Sequence, residues 1–137
     1  MIRHPTAFIQ RSFARFLSMG HYGSLSRRLV ISHRERALAL AAALKQHMPY
    51  VSHTAVTGGS SLWMSGPDWL DCRQLAAAAK ANRILIEPGD VYFLQDRQPL
   101  NFFRLSFSSI ASDRINEGIR RLDVLAERQN PRTYRLA

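Results

Sequence analysis

Sulfhydryl chemistry is confined to one residue, Cys72, so an intrachain disulfide and a multi-cysteine metal site are both excluded. A reducing, cytoplasmic setting is the economical expectation. Lysine is almost as scarce, with Lys45 and Lys80 the only two; seventeen of the nineteen basic residues are arginines. No long apolar run exists: the longest, Ala37 to Leu44, falls far short of the roughly 20 residues a helix needs to span a bilayer, and no membrane partner is expected. Acidic residues are nearly missing from the first 55 positions, where Glu35 stands alone against eight Arg or Lys; the remainder carries eleven basic against nine acidic residues. The formal net charge of +9 is therefore mostly an N-terminal property. Such charge suits a solvated helix face, or the side turned toward an acidic surface, as well as it suits nucleic acid. The five histidines show no zinc spacing. Cys72 falls in the first turn of a short helix with no nucleophile motif around it, so a thiol–imidazole pair is not expected.

What remains is an ordinary globular composition. A chain of 137 residues with 46% hydrophobic content supports one core, and its 21% charged fraction is not that of a disordered chain. The arginine- and serine-rich start superficially resembles a transit segment. Arg34-Glu35-Arg36 continues its helical character without a break in composition, so a removable leader is not expected.

Period and punctuation predict the elements. A helix from Pro5-Thr6 to about Met19 carries Ile9, Phe13, Phe16 and Leu17 at helical spacing, with Gly20 as its stop. A second runs from near Ser24 to about His47, burying Leu25, Leu29, Leu40, Leu44 and Met48, and Pro49 ends it. Gly58-Gly59 leads into a strand through Ser65, which Gly66-Pro67 breaks. Asp71 has the position of an N-cap for a short alanine-rich helix, and Asn82 is expected to end it in the left-handed conformation. Strands are expected over 83–87 and 102–108, the latter with Phe103, Leu105 and Phe107 on one face and Phe102, Arg104 and Ser106 on the other. Ser109 or Ser112 is placed to cap a last helix bearing Ile115, Ile119, Leu122 and Leu125 or Ala126. The fold class is α+β, a small three- to four-stranded, mainly antiparallel sheet covered by helices. The organisation is one truncated domain over 1–137: two N-terminal helices over 5–48, sheet and helices over 56–127, and a basic tail over 128–137.

The set Gly58-Gly59, Trp63, Asp71, Leu75, Ala78, Pro88-Gly89, Phe93, Arg104-Leu105-Ser106-Phe107 and Gly118-Ile119 resembles the C-terminal small domain of fold-type-I pyridoxal-phosphate aminotransferases. Upstream, Phe16 to Tyr22, Arg27-Arg28 and Arg34-Glu35-Arg36 narrow the resemblance to the aminotransferase-like domain of MocR-type regulators in the GntR superfamily. The pattern departs from the family at Leu25-Ser26, at Val30 and at Asn82, where glycine is usual.

The resemblance implies a role for Arg104, the arginine of the Arg-Leu-Ser-Phe strand: receiving the carboxylate of an amino-acid ligand. A planar guanidinium offers two parallel donors to a carboxylate, which lysine cannot reproduce. Gly58 and Gly59 are implied to lie at the domain entrance with close backbone approach, although a simple turn explains them too. His21 and Tyr22 are candidates for an interdomain surface; Trp63 reads first as a core residue and Pro88-Gly89 as a turn. Family catalysis needs a Schiff-base lysine in a serine-rich segment and an acidic partner for the pyridine nitrogen, both carried by a large domain. Neither lysine here has that setting, so the chain alone is expected to hold no cofactor and no catalytic residue. Pyridoxal phosphate, an amino-acid ligand and a cofactor-binding large domain or homologous full-length subunit are implied for the intact protein. The resemblance also places the DNA-reading domain upstream, so direct nucleic-acid binding is not expected. Two alternatives stand beside this reading: a small basic module docking on a partner protein or nucleic acid, and part of an active class I/II aminotransferase whose large domain lies outside this chain.

Overall fold

The computed structural model describes residues 6–55, 58–94 and 98–131. They divide into two compact units, Met1–Ser32 and His33–Ala137. The expected helix start at Pro5, residues 56–57 and 95–97, and the basic tail beyond Pro131 lie outside the described residues.

In the first unit, α1 (Ala7–Ser18) follows Thr6, whose backbone is extended, and Gly20 at φ 73° ends it. Left-handed backbone is where glycine is least strained. The chain then re-enters helix at once, and α2 (His21–His47) starts three residues earlier than Ser24. Ser24 does not cap it: its hydroxyl donates back to the His21 carbonyl at 3.3 Å. None of the α1 residues is buried, and Leu25 and Leu29 remain 40% and 47% exposed, contrary to their expected burial. One helix and the first turns of another are too little chain to enclose a core of their own.

The second unit contains the core. Its sheet has four strands, β1 (Ser52–His53), β2 (Ser61–Ser65), β3 (Glu87–Pro88) and β4 (Phe102–Ser106), in the order β1-β2-β4-β3 and antiparallel throughout. The inner face is formed by Leu62 and Met64 of β2 and Phe103 and Leu105 of β4, as alternation requires. Over it pack the buried Leu40, Leu44 and Met48 from α2 and the turn after it, Leu75 and Ala79 of α3 (Cys72–Ala81), and Ile115, Ile119 and Leu122 of α4 (Ser112–Glu127). Phe107, just past β4, is 1% exposed and meets the His33 ring edge-on at 6.1 Å.

Helix α3 begins as expected, with the Asp71 carboxylate accepting from the amides of Arg73 at 2.9 Å and Gln74 at 3.1 Å. The Gln129 side chain clamps the same residue, accepting from its amide at 2.8 Å and donating to its carbonyl at 3.2 Å. The end of α3 differs by one residue. Arg83, not Asn82, takes the left-handed conformation, at φ 61°. The amide of Ile84 closes on the Ala79 carbonyl and that of Arg83 on Lys80, the paired bonds of a Schellman ending, whose left-handed position follows the cap residue. Asn82 is that cap, and its side-chain amide donates to the Ala78 carbonyl at 2.9 Å.

This ending also explains the shortened third strand. After Arg83 the chain runs beside the sheet without ladder bonds, and it pairs with β4 only at Glu87 and Pro88. Proline is tolerated there because β3 is an edge. Strand β1 was not expected; two residues carry no readable alternation. Neither Ser109 nor Ser112 caps α4: Ala111 holds the N-cap position, and no side chain bonds there.

Candidate functional site

Arg104 lies mid-strand in β4, on the face opposite the core. Antiparallel register sets Trp63 of β2 across from it on one side and Glu87 of β3 on the other. The Arg104 Nη2 atom is 2.5 Å from Glu87 Oε2, with the two side chains 45% and 40% exposed. The other Glu87 oxygen, Oε1, accepts from the Tyr92 hydroxyl at 2.6 Å. That hydroxyl, and then the guanidinium, hold the Glu87 carboxyl below the usual carboxylate range, while the same bond raises the Tyr92 phenol.

An aromatic wall borders the pair. Trp63 stacks on Phe102 at a centroid distance of 5.9 Å, meets Tyr92 edge-on at 5.5 Å and lies 6.1 Å from Phe93, which is 5.3 Å from Phe102. Trp63 is thus part of the outer face and not of the hydrophobic core. The wall exists because Gly89 lets the chain through: a methyl there would sit 2.7 Å from Trp63 Cη2 and 2.8 Å from both the Phe102 carbonyl carbon and its Cβ. The short helical turn Asp90–Tyr92 that follows is pinned by Arg73, whose Nε donates to Asp90 Oδ2 at 2.6 Å. Gly89→Ala should therefore lower stability by roughly 1–3 kcal/mol, since backbone atoms of β4 cannot move aside as a side chain can. A reduced denaturation midpoint together with a weakened near-ultraviolet circular dichroism signal from the wall is the expected result.

Gly58 and Gly59 precede β2 at φ 153° and 86°, and a methyl on either would meet open space. Torsion, not proximity, demands glycine at both positions among the described residues, so the implied close approach is not made within them. Next to them, the Ser60 carbonyl accepts from the Phe107 amide at 2.9 Å and the Ser106 hydroxyl at 3.2 Å, joining this glycine turn to the far end of β4. His21 and Tyr22 open α2 in the first unit, the imidazole 5.8 Å from the Phe16 ring and Tyr22 exposed.

Sequence reasoning singled out Arg104 and missed its neighbours. Glu87 was legible only as a strand end, and Tyr92 carried no signal of its own. Cys72 is buried, and burial, with Asp71 and Asp90 nearby, pushes its thiol up to about 12, far from a reactive thiolate. Among the described residues no three His, Cys, Asp or Glu side chains converge as metal ligands, and no helix is long and apolar enough to cross a membrane.

Comparison with known proteins matches this arrangement of strands and helices. No family model matches the chain. The HTH-type transcriptional regulator TauR of Rhodobacter capsulatus is 39% identical over 122 residues, which is 89% of this chain and 25% of TauR. Aromatic-amino-acid aminotransferase 1 of Thermococcus litoralis is 30% identical over 96 residues, 69% of this chain and 23% of that protein. LysN, the alpha-aminoadipate aminotransferase of Thermus thermophilus, superposes with a TM-score of 0.72 at 30% identity, covering 84% of this chain and 29% of that one. The chain aligns with the fold-type-I aminotransferase fold. It has the small-domain fold, and it aligns with a MocR/GntR-type regulator as well as with aminotransferases. It spans about a quarter of the length of the curated relatives it matches.

The likeness to fold-type-I aminotransferases raises pyridoxal phosphate as a cofactor, and the described residues do not fit it. A Schiff-base lysine must project into an enclosed site beside the ring. Lys45 and Lys80, the only lysines, are exposed on α2 and α3, the helices packed over the inner face of the sheet, whereas Arg104 is on the outer face.

Proposed function

We propose that this chain is the amino-acid-recognising small domain of an aminotransferase-like protein of the MocR type, that Arg104 receives the ligand carboxylate, and that the chain does not catalyse transamination alone. The observation that carries the reading is the Arg104 environment. A guanidinium on an open sheet face, beside an aromatic wall and already in contact with one carboxylate, has the position and chemistry for carboxylate recognition. Support for the regulator branch comes from the extent of the TauR alignment, 89% of this chain. The cofactor, the remaining walls of the site and any DNA-reading element come from a cofactor-binding large domain or a homologous full-length subunit. Gly58-Gly59, His21 and Tyr22 border that partner. The setting is cytoplasmic.

The catalytic half of this reading is tested by adding pyridoxal phosphate to the purified chain, reducing with borohydride and locating adducts by mass spectrometry. No stoichiometric lysine adduct and no transaminase turnover are expected. Stoichiometric modification of Lys45 or Lys80, with turnover lost on its substitution by alanine, is the contradicting result, and would favour an active aminotransferase.

A further inference from the structure

Glu87 is held in place more firmly than an exposed carboxylate ordinarily is. The β3–β4 register sets it directly opposite Arg104. One oxygen touches the guanidinium at 2.5 Å, and the other accepts from Tyr92 at 2.6 Å. Tyr92 is itself set edge-on against Trp63 and closes the turn that Arg73 pins through Asp90. The carboxylate is therefore tethered at the atom that the proposed ligand would need.

We propose that Glu87 is a specificity-determining residue of the Arg104 site, a built-in competitor whose carboxylate occupies the guanidinium in the ligand-free chain and is displaced by the carboxylate of an incoming amino acid. The inference rests on the carboxylate role of Arg104 and adds a selection rule to it. A tethered group competes at an effective concentration in the millimolar range without losing translational freedom, whereas a free monocarboxylate must lose it. A simple acid with no other handle is thus disfavoured. An amino acid with further contacts to the aromatic wall and to the partner domain can win the exchange. Displacement is feasible because both side chains are about half exposed; a pair sealed from water would not exchange so readily.

The test uses the whole chain labelled with 15N-arginine and read by NMR, with sodium acetate as the probe and sodium chloride as the ionic-strength control. The Arg104 Nε–H resonance is identified by its loss in Arg104→Ala. Glu87→Gln is expected to move that resonance in the absence of acetate and to lower the acetate concentration at half-saturation by about two- to fivefold, the range an exposed pair supports. Tyr92→Phe, which frees Oε1 but keeps the ring, should give a smaller change in the same direction, and it serves alone should Glu87→Gln fold poorly. An acetate response at Arg104 that is absent, weaker or unchanged in these variants relative to the wild type overturns the inference. Failure of the underlying reading is separately visible: amino-acid binding by the protein reconstituted with its large domain would then be indifferent to Arg104→Ala, whatever acetate does.

Discussion

Arg104→Ala, placed in a protein reconstituted from this chain and the matching upstream large domain, is expected to weaken amino-acid binding by about ten- to a hundredfold. Charge-assisted hydrogen bonds to a carboxylate contribute roughly 1.5–3 kcal/mol when water is excluded, and each 1.4 kcal/mol is a factor of ten in affinity. Arg104→Lys should lie between the two, because the charge survives but the planar fork does not. Calorimetric titration reads both variants directly. Equal affinities in wild type and Arg104→Ala would remove the carboxylate role.

Phe103→Ala is expected to be the most damaging single substitution in the second unit. Phe103 is fully buried, faces the helices from β4, and is the register partner of both Met64 and Pro88, so its ring is packed from the sheet as well as from above. Truncating a buried phenylalanine costs about 3–5 kcal/mol through lost transfer energy and the cavity left behind. Domains of this size are stable by only about 5–15 kcal/mol. With roughly 4 °C of melting temperature per kcal/mol for a chain of this size, the transition should fall by about 12–20 °C. Phe103→Leu should recover most of it. Because β4 carries Arg104 one residue on, the alanine variant should lose the site along with the fold. A melting temperature within about 2 °C of wild type would contradict this packing.

The elements that could be read from sequence were those in which burial imposes a period. β4 was legible because Phe103, Leu105 and Phe107 alternate with Arg104 and Ser106, and α4 because Ile115, Ile119 and Leu122 follow one helix face. The Asp71 cap was legible because its chemistry is local. Legibility failed where geometry depends on one backbone angle or on distant partners. The left-handed residue after α3 was expected at Asn82 because asparagine tolerates it, yet helix closure put it at Arg83. That shift moved the chain off the ladder, and a run that looks strand-like, Arg83 to Ile86, stayed unpaired. At the site, Arg104 was visible through a family motif. Its partner Glu87 was not, since their meeting depends on the pairing of two strands that are well separated in sequence, which no local pattern encodes.

The proposed need for both this chain and a larger partner in recognition is tested most directly by titration of amino acids into the wild-type chain, alone and reconstituted with the large domain. An exposed charge pair contributes about 0–1 kcal/mol, whereas even millimolar affinity requires about 4 kcal/mol. The chain alone should therefore give no measurable heat at micromolar to low millimolar ligand, and the reconstituted protein should bind saturably. Micromolar binding by the isolated wild-type chain, lost in Arg104→Ala, would contradict the claim.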